Sequence, residues 1–167
     1  LSIRNVTVKN RIFFSAHATM LASGSPNDAL IAYHEARAKG GAGLIVVEVA
    51  SVHESNRYSD EILKAETDDC IPGYRRLAER VHQHDCRVFG QLYHSGREIL
   101  HSGDGSAALA FAPSSVPNHR ARVMPRAMPK SLVHEVIAAY GDAALRLQRA
   151  GLDGVEFLAS QGQLPAQ

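Results

Sequence analysis

Gln91, His94 and Arg97 stand three residues apart where the run Phe89-Gly90-Gln91-Leu92-Tyr93-His94-Ser95-Gly96-Arg97 passes from apolar residues into a glycine-containing turn. A carboxamide presents donors and an acceptor together, an imidazole trades a proton near neutral pH, and a guanidinium pairs with anions. Set at the end of a buried strand, these groups could hold a polar ring or a small substrate. Three other runs share the pattern. Asn10-Arg11-Ile12-Phe13-Phe14-Ser15-Ala16-His17 delivers a histidine, Gly43-Leu44-Ile45-Val46-Val47-Glu48-Val49-Ala50 a carboxylate, and Gly154-Val155-Glu156-Phe157-Leu158-Ala159-Ser160-Gln161 a second glutamine.

Stretches with helical periodicity separate the four runs. The segment from about Pro26 to Lys39 reads as a helix closed by Gly40 and Gly41. After Pro72, Tyr74, Leu77, Ala78 and Val81 fall at i, i+3, i+4 and i+7 and make one apolar stripe. Ser131 is the expected N-cap of a longer helix in which Val133, Val136, Ile137, Tyr140, Ala144 and Leu147 share a face, with Gly151 as the stop. Alternating strands and helices predict an α/β fold of parallel strands with right-handed crossovers. A continuous apolar run such as Leu44 to Val47 fits a strand buried on both faces. A dinucleotide-binding open sheet would carry a glycine-rich turn after its first strand, where this chain has Ser15-Ala16-His17-Ala18-Thr19. In a (β/α)8 TIM barrel the chemistry sits at the carboxyl ends of the strands, which is where His17, Glu48, Gln91, His94, Arg97 and Gln161 fall.

The opening Leu1-Ser2-Ile3-Arg4-Asn5-Val6-Thr7-Val8-Lys9-Asn10-Arg11-Ile12 resembles that of the old yellow enzyme family of FMN-dependent NADH:flavin oxidoreductases. Gln91-Leu92-Tyr93-His94-Ser95-Gly96-Arg97 resembles the family's third strand, Met124-Pro125-Arg126-Ala127-Met128-Pro129-Lys130 the approach to its third helix, and Ala150-Gly151-Leu152-Asp153-Gly154-Val155-Glu156 the entry to its fourth strand. The resemblance spans the chain and implies about the first four βα units of a (β/α)8 TIM barrel, residues 1–167 forming the amino-terminal half of an FMN-binding domain. Leu164-Pro165-Ala166-Gln167 resembles the trimethylamine-dehydrogenase-like branch, and a dienoyl-CoA-reductase-like branch is the other candidate.

By this resemblance Gln91 meets the pyrimidine edge of FMN, whose donor and acceptors complement a carboxamide. Ser15, Ala16, His17 and Ala18 match the turn under the isoalloxazine, where small side chains let a planar ring approach. Ala18 also stands where one branch attaches its flavin through cysteine, so noncovalent FMN is expected. Val49 and Ala50 match the end of the second strand, and Ala50 is the expected flavin neighbour because valine is bulkier than the usual occupant. Glu48 reads as a carboxylate that holds neighbouring loops, His94 as packed and Arg97 as ion-paired.

The fourth strand of the family ends with a histidine, a histidine or asparagine three residues on, and a tyrosine two further. Leu158, Gln161 and Gln163 occupy these places. Leu158 and Gln161 are the expected substrate contacts, and Gln161 and Gln163 the candidate catalytic pair. The family's pair hydrogen-bonds an enone carbonyl while tyrosine supplies a proton. Leucine does neither, and a carboxamide is no proton donor. The implied activity is hydride transfer between flavin N5 and a small organic substrate other than a simple enone, with an N-methylated amine as first candidate and NAD(P)H as an alternative hydride donor. NAD(P)H-dependent enone reduction and a non-catalytic half-barrel are the other readings.

Glu98 to Lys130 is a long irregular segment, glycine-rich at first and then bearing His119, Arg120, Arg122, Arg126 and Lys130. It is expected as a cover over the flavin or as a solvated loop. A net charge of +1, from 18 basic and 17 acidic residues, gives no footprint for nucleic acid or an anionic membrane. No apolar stretch has the length of a membrane span. Cys70 and Cys86 have no metal-ligand spacing, so no metal is expected, and they read as reduced thiols of a cytoplasmic protein. The 167 residues compare with about 250 for a whole barrel. The expectation is therefore a half-barrel completed by the rest of a longer chain or by a second copy in a homo-oligomer, since an open strand edge must be covered.

Overall fold

A computed structural model describes residues 1–56, 59, 61–99, 109–120 and 122–167. The glycine-rich part of the segment after Glu98, with His101, lies outside the described residues. Four strands, β1 (Phe13–Phe14), β2 (Leu44–Ser51), β3 (Arg87–Tyr93) and β4 (Gly154–Phe157), pair side by side in that order, every pair parallel. Between them run α1 (Asp28–Lys39), α2 (Ile71–His82) and α3 (Lys130–Arg149). This is the succession of a (β/α) barrel through its fourth strand. A short strand, Leu63–Lys64, adds to the carboxyl end of β2.

Local chemistry sets where the helices begin and end. Asn27 caps α1 by accepting the Leu30 N–H at 3.0 Å, and Pro72 occupies the first turn of α2. The ends of α1 and α3 repeat one device. Gly41 (φ 106) and Gly151 (φ 92) take the left-handed conformation, and the next residue donates back to the carbonyl of Arg37 or Leu147. The expected cap Ser131 lies inside the first turn of α3 instead: Pro129 is the N-cap, and no side chain caps that end. Proline's fixed extended-to-helix geometry starts this helix without a hydroxyl acceptor.

The two faces of the sheet do different work. Ile45, Val47, Val88 and Leu92 point toward the helices and form one core with Leu30, Leu77, Val81 and Leu147. On the other face Phe13, Leu44, Val46 and Phe89 line an apolar cavity of about 370 Å³, closed in part by Leu1, Ile3 and Val8 of the amino-terminal hairpin. The α2 stripe behaves as its periodicity requires, with Tyr74, Leu77, Ala78 and Val81 all buried. The α3 stripe does not. Val136 and Leu147 are buried, but Ile137 is 63% exposed and Val133 37%. Farther along α3, Tyr140 packs on Phe157 of β4 with ring centroids 4.6 Å apart.

At Gly90 α3 packs close against the sheet: a Cβ there would overlap Leu147 Cδ1. Gly90→Ala is expected to destabilise the fold by about 2 kcal/mol through overpacking. Denaturant midpoints check this. Pairing it with Leu147→Ala should recover part of the loss, whereas additive losses would contradict the packing account.

Candidate functional site

At the carboxyl ends of the strands, the site begins with an irregularity in β2. Val47 pairs with Gly90, but Val49 pairs with Gln91, so Glu48 is an extra residue in the ladder. The bulge shifts the alternation by one. Val49 therefore shares the barrel-interior face with Gln91, and Ala50, paired with Leu92, is fully buried in the helix-side core. This corrects the placement expected for Ala50: its side chain turns into the helix-side core, and Val49 is the residue on the interior face. Glu48 itself is buried, and its Oε2 accepts the Thr19 N–H at 2.6 Å, fastening the turn after β1 to the end of β2.

Within that turn Ser15, His17 and Ala18 are exposed and Ala16 is half-buried. His17 makes no side-chain hydrogen bond among the described residues. Across the sheet Gln91 is buried on the interior face, and its Nε2 donates to Glu156 Oε1 at 2.5 Å across the β3–β4 register. The side-chain Oε1 of Gln91 has no hydrogen-bond partner among the described residues.

His94 is fully buried beyond β3. The Gly96 N–H donates to its Nδ1 at 3.0 Å, so a neutral ring carries its proton on Nε2 and donates to Ser55 Oγ at 2.9 Å. The Ser55 hydroxyl then donates to His53 Nδ1 at 2.8 Å. Burial, then the charge of nearby His53, pulls the His94 pKa down to about 4, which keeps it neutral and structural. Gly96 has φ 60 and lies against the Gln167 carboxamide, so a side chain there would be both strained and crowded.

Residues with no sequence signature complete the frame. Asn56 Oδ1 accepts from both the N–H and the hydroxyl of Ser95, and Gln167 Nε2 donates to the carbonyls of Ser95 and Gly162 at 3.1 and 2.7 Å. The Arg97 N–H donates to Gln167 Oε1 at 3.2 Å, while the Arg97 side chain lies 3.8 Å from Glu98, the expected ion pair at long range. These contacts lock the β3 turn onto the segment after β4.

That segment spreads its candidate residues apart. Leu158 is half-buried and follows β4 directly, its N–H donating to the Leu92 carbonyl at 3.1 Å. Gln161 is exposed in a left-handed turn with φ 56, and Gln163 is buried, its Oε1 without a partner among the described residues. The two glutamines therefore do not present one joint surface. In the Glu98–Lys130 segment, Phe111–Ala112 pairs with Arg126–Ala127, and His119, Arg120, Arg122, Arg126 and Lys130 are exposed.

Comparison with known proteins agrees with this geometry. The profile of the NADH:flavin oxidoreductase / NADH oxidase family matches residues 1–167. A metal reductase of Desulforamulus reducens is 35% identical over 167 residues, 99% of this chain and 24% of its own length. An NADH oxidase of Thermoanaerobacter brockii is 34% identical over 99% of this chain and 26% of its own length. An NADPH dehydrogenase of Listeria monocytogenes is 32% identical over 97% of this chain and 47% of its own length. The chain thus spans between about a quarter and a half of these relatives. Among solved structures, a 2-naphthoyl-CoA reductase in complex with 2-naphthoyl-CoA superposes with a TM-score of 0.88 at 27% identity, over 99% of this chain and 27% of that one. An old yellow enzyme homologue from Zymomonas mobilis shares the fold with a TM-score of 0.83 at 23% identity, over 96% of this chain and 47% of that one. From the parallel β1–β4 order, the interior glutamine of β3 and the match along its whole length, this chain belongs to the NADH:flavin oxidoreductase / NADH oxidase family, the family of old yellow enzyme.

Proposed function

We propose that residues 1–167 form the first four βα units of an FMN-binding barrel, and that the enzyme moves hydride between a reduced nicotinamide, the flavin and a small organic substrate other than a simple enone. One observation carries this reading: an interior carboxamide, Gln91, whose side-chain oxygen has no partner among the described residues, stands at the carboxyl end of β3 in the same sheet whose first strand opens into Ser15 to Ala18, with Ser15, His17 and Ala18 exposed. Such a cradle fits a planar ring with a donor and acceptors on one edge. Gln91 would hold that edge noncovalently, and Ser15, Ala16, Ala18 and Val49 would bound the ring, with His17 beside it. When bound, FMN supplies the hydride-transferring centre.

The residues around the substrate determine what is excluded. Leu158 is apolar where the family's carbonyl-binding histidine stands, so it can bound methyl groups but cannot hold a developing oxyanion. Exposed Gln161 offers one amide donor to a substrate, whereas Gln163 is buried away from solvent. This composition favours an N-methylated amine as substrate. The names NADH oxidase and NADPH dehydrogenase among the relatives support a nicotinamide donor. Likeness to the 2-naphthoyl-CoA reductase favours a second reading, reduction of a conjugated acyl thioester. Cys70 and Cys86, both buried free thiols, suit a cytoplasmic enzyme.

The test is the absorption spectrum of the purified protein reconstituted with FMN, followed by anaerobic stopped-flow mixing. Flavin bands that bleach with NADH or NADPH, or with a methylated amine, and that recover slowly with cyclohexenone are the expected result. Failure to retain FMN would remove the cofactor assignment, and fast enone turnover without amine-dependent bleaching would remove the amine. Leu158→His should raise the cyclohexenone rate by about tenfold or more by restoring a donor to the carbonyl.

A further inference from the structure

The geometry points to Glu156 as a positioning residue that sets which way the Gln91 carboxamide faces. Register places Glu156 beside Gln91 on adjacent parallel strands, and both side chains project into the barrel interior. Their contact is 2.5 Å between Gln91 Nε2 and Glu156 Oε1. An ionised carboxylate accepts hydrogen bonds and cannot donate, so the NH2 end of Gln91 is the end that faces it. The carbonyl oxygen is thereby turned the other way, toward the space beside Val49, together with the remaining N–H.

This orientation determines what Gln91 can read. A carboxamide flipped by half a turn exchanges its donor and acceptor, so it complements a different edge. Held by Glu156, Gln91 presents a fixed acceptor with an N–H beside it, the complement of an imide whose N–H adjoins a carbonyl. The pyrimidine of a flavin is such an edge, and this inference rests on the FMN reading proposed above. Glu156 need not touch the ring. Its part is to remove one of two amide orientations before the ligand arrives, which is preorganisation.

The inference predicts non-additive behaviour in a double-mutant cycle on FMN affinity. Glu156→Leu and Gln91→Leu should each weaken FMN binding by about tenfold, the equivalent of one hydrogen bond to a polar ring edge. The double variant should be no weaker than Gln91→Leu, because Glu156 acts only through Gln91. Glu156→Gln keeps the size and an acceptor but can also donate, so it should fall between the parent and Glu156→Leu. Fluorescence titration of FMN measures all five proteins, with thermal melts showing that each is folded. Additive losses, or unchanged affinity in Glu156→Leu, would overturn the inference.

A cofactor-free readout separates this inference from the functional reading. In the protein without FMN, the Gln91 side-chain N–H that faces Glu156 should resonate downfield of an ordinary carboxamide proton and exchange slowly with water, and Glu156→Leu should remove both properties. If the parent protein binds no FMN yet shows this behaviour, the cofactor reading fails while the orientation by Glu156 stands. If the Gln91 amide is equally mobile in the parent and in Glu156→Leu, the orientation fails whatever FMN does.

Discussion

Acidification from about pH 7 to about pH 4.5 is expected to remove several kcal/mol of folding stability, through two buried histidines that the fold holds neutral. His34 on α1 is fully buried, with neither ring nitrogen paired among the described residues, and it packs edge-on against Phe14 and Tyr33. Burial, then the charge of Arg37, lowers its pKa to about 4, and burial, then His53, lowers that of His94 to about 4. Both shifts are downward, so the folded state resists protons that the unfolded chain accepts below about pH 6.5. Stability is fully present above that pH. It is lost as pH falls toward 4, by about 3 kcal/mol for each ring. Urea unfolding across the pH series measures the slope. His34→Phe keeps the ring packing and removes the titrating group, so its slope should be about half that of the parent. An unchanged slope would show that His34 does not carry the effect.

Asp153→Ala is expected to cost about 3 kcal/mol, because one carboxylate holds three groups at the entry to β4. Its Oδ2 accepts the Val88 N–H at 2.8 Å and pairs with His82 Nε2 at 2.7 Å, and its Oδ1 pairs with Arg87 Nη1 at 3.2 Å. The side chain is 14% exposed, so little water is available to replace these partners. Removing it strands the Val88 N–H at the start of β3 and detaches the end of α2 from the sheet. Asp153→Asn keeps an acceptor for Val88 but gives up the charge, and should lose about half as much. Denaturant midpoints of the two variants decide this. Equal losses would mean that charge, rather than the hydrogen bond to the backbone, is what the site needs.

Much of this molecule could be read from residue order alone. Continuous apolar runs such as Leu44 to Val47 belong to strands buried on both faces, and the Tyr74, Leu77, Ala78 and Val81 stripe belongs to a helix with one buried face, because period and burial are local properties. Gly41 and Gly151 end their helices because few other residues adopt positive φ without strain. The helix α1 was harder to read, since its buried face includes His34 where an apolar residue would complete the stripe. Family membership was also legible, in the Gln91 to Arg97 run and the Ala150 to Glu156 entry.

Tertiary structure decided which side chain faces the site. The Glu48 bulge exchanges Val49 for Ala50 on the interior face, and a bulge is set by pairing with β3 rather than by β2 itself. The bond of Gln91 to Glu156 joins residues 65 positions apart, and that of Glu48 to Thr19 joins residues 29 apart. The exposure of Ile137 was likewise out of reach, because a stripe records which face of a helix is apolar and not which other elements pack on it. Sequence determines period, capping and residue chemistry within a single element. Register between strands, which no single element contains, determines which of those residues meet.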